Sequence, residues 1–500
     1  MLFNSFEFIF LFLPIALLIF FNIGKIGNYR IAIAFLVAAS VLFYGWRNPR
    51  YLLLLIFSII FNYLIGSALS DKFKITFGKK VLLTLGIIVN LGLISYFKYA
   101  NFFLSNVTKL INTNFNLGNI ILPLAITFFT FQQIAYLVDA YKGETKEYNF
   151  LDYCLFVTFF PQLIAGPIVH HKEVMPQFAD KSTYRFNPEN MAVGMTIFSL
   201  GLFKKAVFAD NIAVYATPIF YAASQGTAPT MVEAWVAALA YTLQLYFDFS
   251  GYSDMAIGIA RIFGIKLPIN FNSPYKAISI SDFWRRWHIT LSNFLRDYLY
   301  IPLGGSRKGE IRRNANLLIT MLLGGLWHGA GWTFVFWGGL HGIYLVINHQ
   351  YRSLRKRLGH DLKNTNWLDR GFGWLLTFLA IVVGWVFFRA ESMDIAFVIL
   401  RGMIGLNGIS LSESFAKKSI LWIISLLAIA WFTPNTQQWM QHYNPALNHS
   451  LIDNYSTPNI GFWRKWQWKP NQFWAAMIAL ISLVAILSIS KESEFLYFQF

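Results

Sequence analysis

Residues 324–332 read GGLWHGAGW, in the middle of the apolar run NANLLITMLLGGLWHGAGWTFVFWGGLHGIYLVI. The run extends over 314–347, and its 34 residues would form a helix about 50 Å long at about 1.5 Å per residue. That is too long for one crossing of a hydrocarbon core about 30 Å thick. Both flanks are basic: GGSRKGEIRR precedes the run, and YRSLRKRLGH follows it. Basic loops prefer the cytoplasmic side, so the run must enter and return. The four glycines of the quoted stretch permit a break and a close approach of two helices. The spacing therefore predicts a helical hairpin or re-entrant pair with His328 at or near its tip. Irregular backbone at membrane depth is tolerated only when it is buried in protein or lines a water-filled cavity, which puts His328 on a cavity.

The surrounding chain supports a membrane setting. Of 500 residues, 56% are hydrophobic and only 13% charged, against about 25% charged in soluble domains. Apolar runs recur along the whole length, as in an all-α polytopic membrane protein. The net charge of +17 does not mark a nucleic-acid protein. The Lys and Arg residues sit in short segments between apolar runs, as the positive-inside rule and anionic headgroups require. The single cysteine, Cys154, excludes an internal disulfide and a Cys-ligated metal site. The N-terminal stretch MLFNSFEFIFLFLPIALLIFFNIGKIG lacks a basic leader and a small-residue cleavage site, and reads as the first membrane helix.

Runs long enough to span fall near 6–24, 30–46, 51–69, 80–98, 119–140, 151–169, 191–220, 231–262, 314–347, 372–388, 418–433 and 473–490. Some are too long or too short for one simple crossing. The pattern predicts about eleven crossings with re-entrant or broken pieces among them, in a single membrane-embedded unit over 1–500. A core of about 120–347 is preceded by N-terminal helices over 1–118 and followed by C-terminal helices over 372–490. Segment 263–313 differs from these runs. It is amphipathic, aromatic and Arg-rich, with helical spacing over 280–300, and predicts helices at the interface or along a polar cavity.

Several side chains in these runs can carry chemistry. An ionisable residue at membrane depth is a functional candidate by default, and histidine exchanges protons near neutral pH. His328 is the first candidate. His288, beside Trp287, Arg285 and Arg286 in SDFWRRWHITLS, is the second; its alternative is an interfacial histidine in an aromatic belt. On a helix over 231–262, Gln244, Asp248 and Tyr252 share a face at i, i+4 and i+8, and Ser250 pairs with Asp254. These line a substrate path or act as polar glue between helices. Gln132, Gln133 and Gln162 are channel-lining candidates. Pro161 and the Gly166-Pro167 pair would kink or end a span. His170 and His171, being adjacent, point to different faces and suit loop positions better than a shared metal. His341 follows His328 by 13 residues and either faces the same cavity or packs. There is no HExxH helix, GxSxG elbow, Walker loop or dinucleotide fingerprint. Histidine acid/base chemistry or passive transport remains.

At these residues the chain resembles the membrane-bound O-acyltransferases. It looks closest to the bacterial branch that O-acetylates alginate and other polysaccharides, with the teichoic-acid D-alanyl transfer proteins more distant. The resemblance rests on FFTFQQIAYLVDAYKGE, FFPQLIAGPIV, GLFKKAVFADNIA, LQLYFDFSGYSDMAIGIARIFG, DFWRRWHITLSNFLRDYLYIPLGG and LLGGLWHGAGWTFVFWGGLHG. With FLFLPIALLIFF and SVLFYGWRNPRYLLLLIFSIIFNYLIG it runs from about residue 6 to 346, and the tail EFLYFQF resembles that branch too. It implies that His328 stands at the family's near-invariant histidine and His288 at its second catalytic position. It implies a ring of transmembrane helices around a thin core, with funnels from both faces meeting at the histidine.

The implied activity is O-acetyl transfer across the bacterial inner membrane. An acetyl group would pass from a cytoplasmic thioester, acetyl-CoA, to a hydroxyl of an extracytoplasmic polysaccharide or to an SGNH-type partner transferase outside the membrane. Membrane lipids, the donor and the glycan are the expected partners, with no bound cofactor, metal or nucleic acid. His328 would be the general base, and His288 would orient the donor or stabilise the oxyanion. Asp248, Ser250, Tyr252, Gln244, Trp287, Trp327, Arg285 and Arg286 are substrate-binding candidates, with Arg312 and Arg313 also available to donor phosphates. The alternatives are D-alanyl or peptidoglycan acyl transfer, a non-catalytic transporter of acyl or lipid-linked substrate, and a scaffold for a separate transferase. Residues 434–472, polar and Trp-rich, take no role from the sequence.

Overall fold

The architecture was taken from a computed structural model, which describes residues 1–46, 48–70, 78–113, 115, 117–118, 120–145, 149–360, 366–409, 413–447, 466–489 and 496. Much of the Trp-rich segment, and all of the tail EFLYFQF except Leu496, lie outside these residues. Among them the elements are helical, and one isolated bridge joins Pro268 to Leu447. In chain order the main helices are α1 (Phe8–Ile26), α2 (Tyr29–Gly45), α3 (Arg50–Leu69), α4 (Lys79–Leu110) and α5 (Ile126–Tyr141). There follow α6 (Phe150–Thr158), α7 (His171–Ala179), α8 (Pro188–Ser224), α9 (Met231–Ile262), α10 (Ile280–Trp284) and α11 (Ile289–Leu295). The chain continues through α12 (Gly309–His328), α13 (Trp332–Arg357), α14 (Trp367–Arg389), α15 (Met393–Met403), α16 (Glu413–Phe432) and α17 (Gln472–Leu487).

Helices α1, α3, α4, α8 and α14 are long and apolar enough to cross a bilayer, and α2 and α17 are shorter apolar helices. The protein is a multi-pass membrane protein. Their outward faces carry large apolar side chains such as Leu18, Leu53, Ile88 and Phe372, which suits contact with lipid tails.

Helix α9 forms the axis of the packed interior, and almost every residue from Ala234 to Ile262 is buried. Its N-terminus is fixed by a capping box, in which the Glu233 carboxylate accepts from the Thr230 amide at 3.0 Å. Helix α8 lies against it so closely that a Cβ on Gly194 would sit 2.6 Å from the Gly258 carbonyl oxygen, and one on Gly201 2.6 Å from that of Gly251. This closeness brings Lys204 and Lys205 of α8 onto carboxylates of α9, at 2.6 Å to Asp254 and 2.6 Å to Asp248.

The apolar run over 314–347 is two helices. Helix α12 ends on His328, Gly329 and Gly331 are extended, and α13 begins at Trp332. The helices run antiparallel: Gly342 meets Leu318, Gly338 meets Met321, and Gly325 meets Phe334. At the closest point, Gly338 backs directly onto Gly325 and the Met321 carbonyl, leaving no space for a side chain. The hairpin expected from charge and length is therefore present, with His328 at its turn.

The amphipathic segment is helical over Ile280–Trp284 and Ile289–Leu295. It is broken at His288, whose φ of 42° and ψ of 54° are left-handed. Histidine is among the few non-glycine residues that visit this region. The reversal separates α10 from α11 and turns the imidazole inward. The Pro161 and Gly166-Pro167 kinks also appear. Helix α6 stops at Thr158, a single turn follows over Phe160–Leu163, and the chain stays irregular to His170.

Candidate active site

His328 is only 5% exposed and His288 is fully buried. They approach each other through one indole. The Trp327 ring lies 4.8 Å from that of His328 and 6.0 Å from that of His288. Trp327 is held by Phe131, stacked at 5.5 Å, and by Phe128 at 5.6 Å, which fixes the indole between the histidines. On its other side the His328 ring meets Trp337 at 5.3 Å and Phe388 at 5.2 Å.

His288 is oriented by a residue that the sequence did not single out. Its Nδ1 lies 3.1 Å from Asn270 Oδ1. The same oxygen accepts from the Thr290 amide at 3.3 Å and from the Thr290 hydroxyl at 2.9 Å. A backbone N–H can only donate, so the Asn270 atom facing it is the carbonyl oxygen. The amide nitrogen is then free to donate to Ser253 Oγ, at 3.1 Å. It follows that His288 Nδ1 carries the hydrogen and Nε2 keeps its lone pair. Nε2 is buried without a hydrogen-bond partner among the described residues, so an acceptor site is held ready in an apolar wall. Phe249 packs edge-on against the ring at 4.8 Å.

Next to the turn that holds His288 lies a cavity of about 480 Å³, whose lining includes neither His288 nor His328. Ile289 and Thr290, the two residues after His288, line it with His170, Glu173, Asn272, Trp284, Asn293, Arg285 and Arg296. Arg285 and Arg296 are exposed at its edge. The cavity combines room for a small-molecule chain with the Arg285 guanidinium, a group suited to phosphate; Arg296 is paired with Asp297 at 2.7 and 2.9 Å and would have to share that carboxylate's hold.

The remaining candidates divide between this centre and other places. Trp287 is buried in an aromatic wall, 4.9 Å from Trp385 and stacked on Phe283 at 5.7 Å. Arg286 is committed to Asp282, at 2.9 Å. His341 is fully buried one layer out, 4.9 Å from Trp337 and 5.3 Å from Trp284. Asp248 is paired with Lys205 and accepts from the Leu496 amide at 3.1 Å. Tyr252 stacks on Phe3 at 4.8 Å. Gln244 Oε1 and Ser250 Oγ are buried without hydrogen-bond partners among the described residues. The part of α9 that touches His288 is one residue further on, Phe249 directly and Ser253 through Asn270.

The glutamines do local structural work. Gln132 and Gln162 both donate to the Phe156 carbonyl, at 2.8 and 2.6 Å, and Gln133 joins Ser58 to Tyr153 at 2.8 and 2.9 Å. His170 and His171 point apart, one stacked on Tyr298 and the other 3.5 Å from Asp139. The described part of the Trp-rich segment closes over α9: Thr436 and Gln437 donate to Asp254 at 2.7 and 3.1 Å.

Known proteins resemble this chain along most of its length. A model of the membrane-bound O-acyltransferase family matches residues 140–390. The chain is 47% identical to a peptidoglycan O-acetyltransferase of Helicobacter pylori, over 82% of this chain and 81% of that protein. It is 38% identical to a protein named probable alginate O-acetylase of Pseudomonas putida, with both chains covered in full. It is 28% identical to a teichoic acid D-alanyltransferase of Streptococcus thermophilus, over 55% of this chain and 70% of that one. His288, the hairpin that carries His328 and α9 all fall within the matched residues. This chain is an acyltransferase and belongs to the membrane-bound O-acyltransferase family.

Proposed function

We propose that the protein moves an acetyl group from acetyl-CoA on the cytoplasmic side to a carbohydrate hydroxyl outside the inner membrane, directly or through a partner transferase. The observation that carries this reading is the approach of His288 and His328 through Trp327, with a cavity edged by Arg285 and Arg296 next to the turn that holds His288. The donor would enter that cavity, its phosphates near Arg285 and Arg296. The acceptor hydroxyl would reach His328 from the opposite face. About eleven crossings in a ring, with α12 and α13 re-entrant and funnels from both faces, would supply the two routes.

In the reaction a hydroxyl oxygen attacks the thioester carbonyl, the oxygen–acyl bond forms and the carbon–sulfur bond breaks. His328 takes the hydroxyl proton and returns it to the departing thiolate. The tautomer of His288 favours a second division of labour, in which Nε2 of His288 receives that proton instead. In either case the imidazole that stays neutral orients the thioester. General base catalysis contributes about 10²–10⁴-fold. The purified protein in proteoliposomes, given radiolabelled acetyl-CoA, should acetylate alginate oligosaccharides or muropeptides, and the better acceptor names the polymer. His328→Ala should lose at least about 10²-fold in turnover. A folded His328→Ala protein that acetylates at the wild-type rate refutes His328 as the base. Wild-type transport without acetyl transfer would identify a carrier instead.

A further inference from the structure

The hairpin turn is held from outside the matched family region. A helix leaves its last carbonyls without intrahelical donors, and α12 ends inside protein. Three of those carbonyls are capped by α4. Tyr99 Oη donates to the Leu326 carbonyl at 2.7 Å. Lys98 Nζ donates to the Trp327 carbonyl at 2.7 Å and to the His328 carbonyl at 2.9 Å. A fourth tie joins the start of α13, where Trp332 Nε1 donates to Asn106 Oδ1 at 3.0 Å.

Lys98 and Tyr99 sit in a π-type turn over Ser95–Tyr99 that interrupts α4. Such a turn inserts one residue into the helix and rotates the side chains that follow, and it recurs at functional sites. A lysine on a span is costly unless it meets a partner. Here the cation lies at the negative end of the α12 dipole.

We propose that Lys98 and Tyr99 are positioning residues for acyl transfer, a clamp on α4 that holds the backbone of Trp327 and His328 so that the imidazole keeps its reactive placement. This rests on reading His328 as a reacting group. A displacement of about 1 Å can cost about 10²-fold in rate. Lys98→Met removes both donors at nearly constant volume and should lower kcat by about 10- to 100-fold with KM for acetyl-CoA unchanged. Lys98→Arg keeps two donors and should restore turnover to within about threefold of wild type. Tyr99→Phe, which removes one oxygen atom, should lower kcat a few-fold and serves if Lys98→Met fails to fold. Hydrogen exchange of the 329–333 amides on the full chain gives a readout independent of catalysis, and it should accelerate in Lys98→Met and not in Lys98→Arg. Wild-type exchange and turnover in Lys98→Met, with His328→Ala inactive, overturns the clamp. An active His328→Ala overturns the base assignment instead, whatever Lys98→Met does. A loss in Lys98→Met that Lys98→Arg does not recover, with exchange unchanged, also refutes positioning.

Discussion

Replacing Asn270 by leucine tests whether the orientation of His288 matters to the chemistry. The two side chains are close in size, so the cavity term is small. What is lost is the oxygen that accepts from His288 Nδ1 and from the Thr290 amide, at 3.1 and 3.3 Å. Both donors are buried, and neither can turn to water. An orphaned buried donor costs about 1–3 kcal/mol, so the pair gives a stability loss of about 2–6 kcal/mol. The Thr290 hydroxyl escapes this sum because it can rotate. The functional loss has a separate origin. Without Asn270 nothing holds the hydrogen on Nδ1, and the ring is free to tip within the left-handed turn, which should cost about 10²-fold in turnover. Asn270→Asp keeps the accepting oxygen and should retain turnover to within about tenfold, with Nδ1 still donating. The assay is acetyl transfer from labelled acetyl-CoA in proteoliposomes, with thermal unfolding in detergent as the stability measurement. An Asn270→Leu protein that unfolds earlier but turns over within about twofold of wild type would show that the residue serves packing alone.

Three further outcomes are expected. Lys205→Met leaves Asp248 buried without its cation, and Asp210 without the same partner at 2.8 Å, and should cost about 3–5 kcal/mol in thermal or denaturant unfolding, partly recovered by adding Asp248→Asn; unaltered stability in the single variant would show that Lys205 and Asp248 are not held in the dry interior. Gly338→Val places a branched side chain against the Gly325 backbone and the Met321 carbonyl; the overpacking should cost about 1–3 kcal/mol and reduce turnover at least about tenfold by splaying the hairpin, and a wild-type melting curve would refute the close approach. Replacing both Arg285 and Arg296 by alanine should raise KM for acetyl-CoA about tenfold or more at low salt with kcat preserved, and an unchanged KM would move the donor elsewhere.

The chain carried much of this in its own pattern. Apolar run length, basic flanks and clustered glycines located the hairpin and put His328 at its turn, because these depend only on bilayer thickness, charge and helix rise. The apolar run over 231–262 matched the extent of α9, and the prolines marked where α6 ends. Tertiary structure decided the rest. Nothing in PINFNSP distinguishes Asn270 as the partner of a histidine 18 residues away, since that contact exists only after the chain reverses at a left-handed residue. The i, i+4, i+8 face of α9 was legible, but which face meets His288 was not, because helix rotation is set by the glycine contacts with α8. Lys98 illustrates the same limit over the longest distance. A lone lysine ending an apolar run reads as an ordinary interfacial charge. Only the packing of α4 against the hairpin shows it holding two carbonyls 229 and 230 positions away in the chain. Local sequence sets where a helix starts, stops and buries its apolar side. The pairing of one polar atom with another is set by where whole helices come to rest.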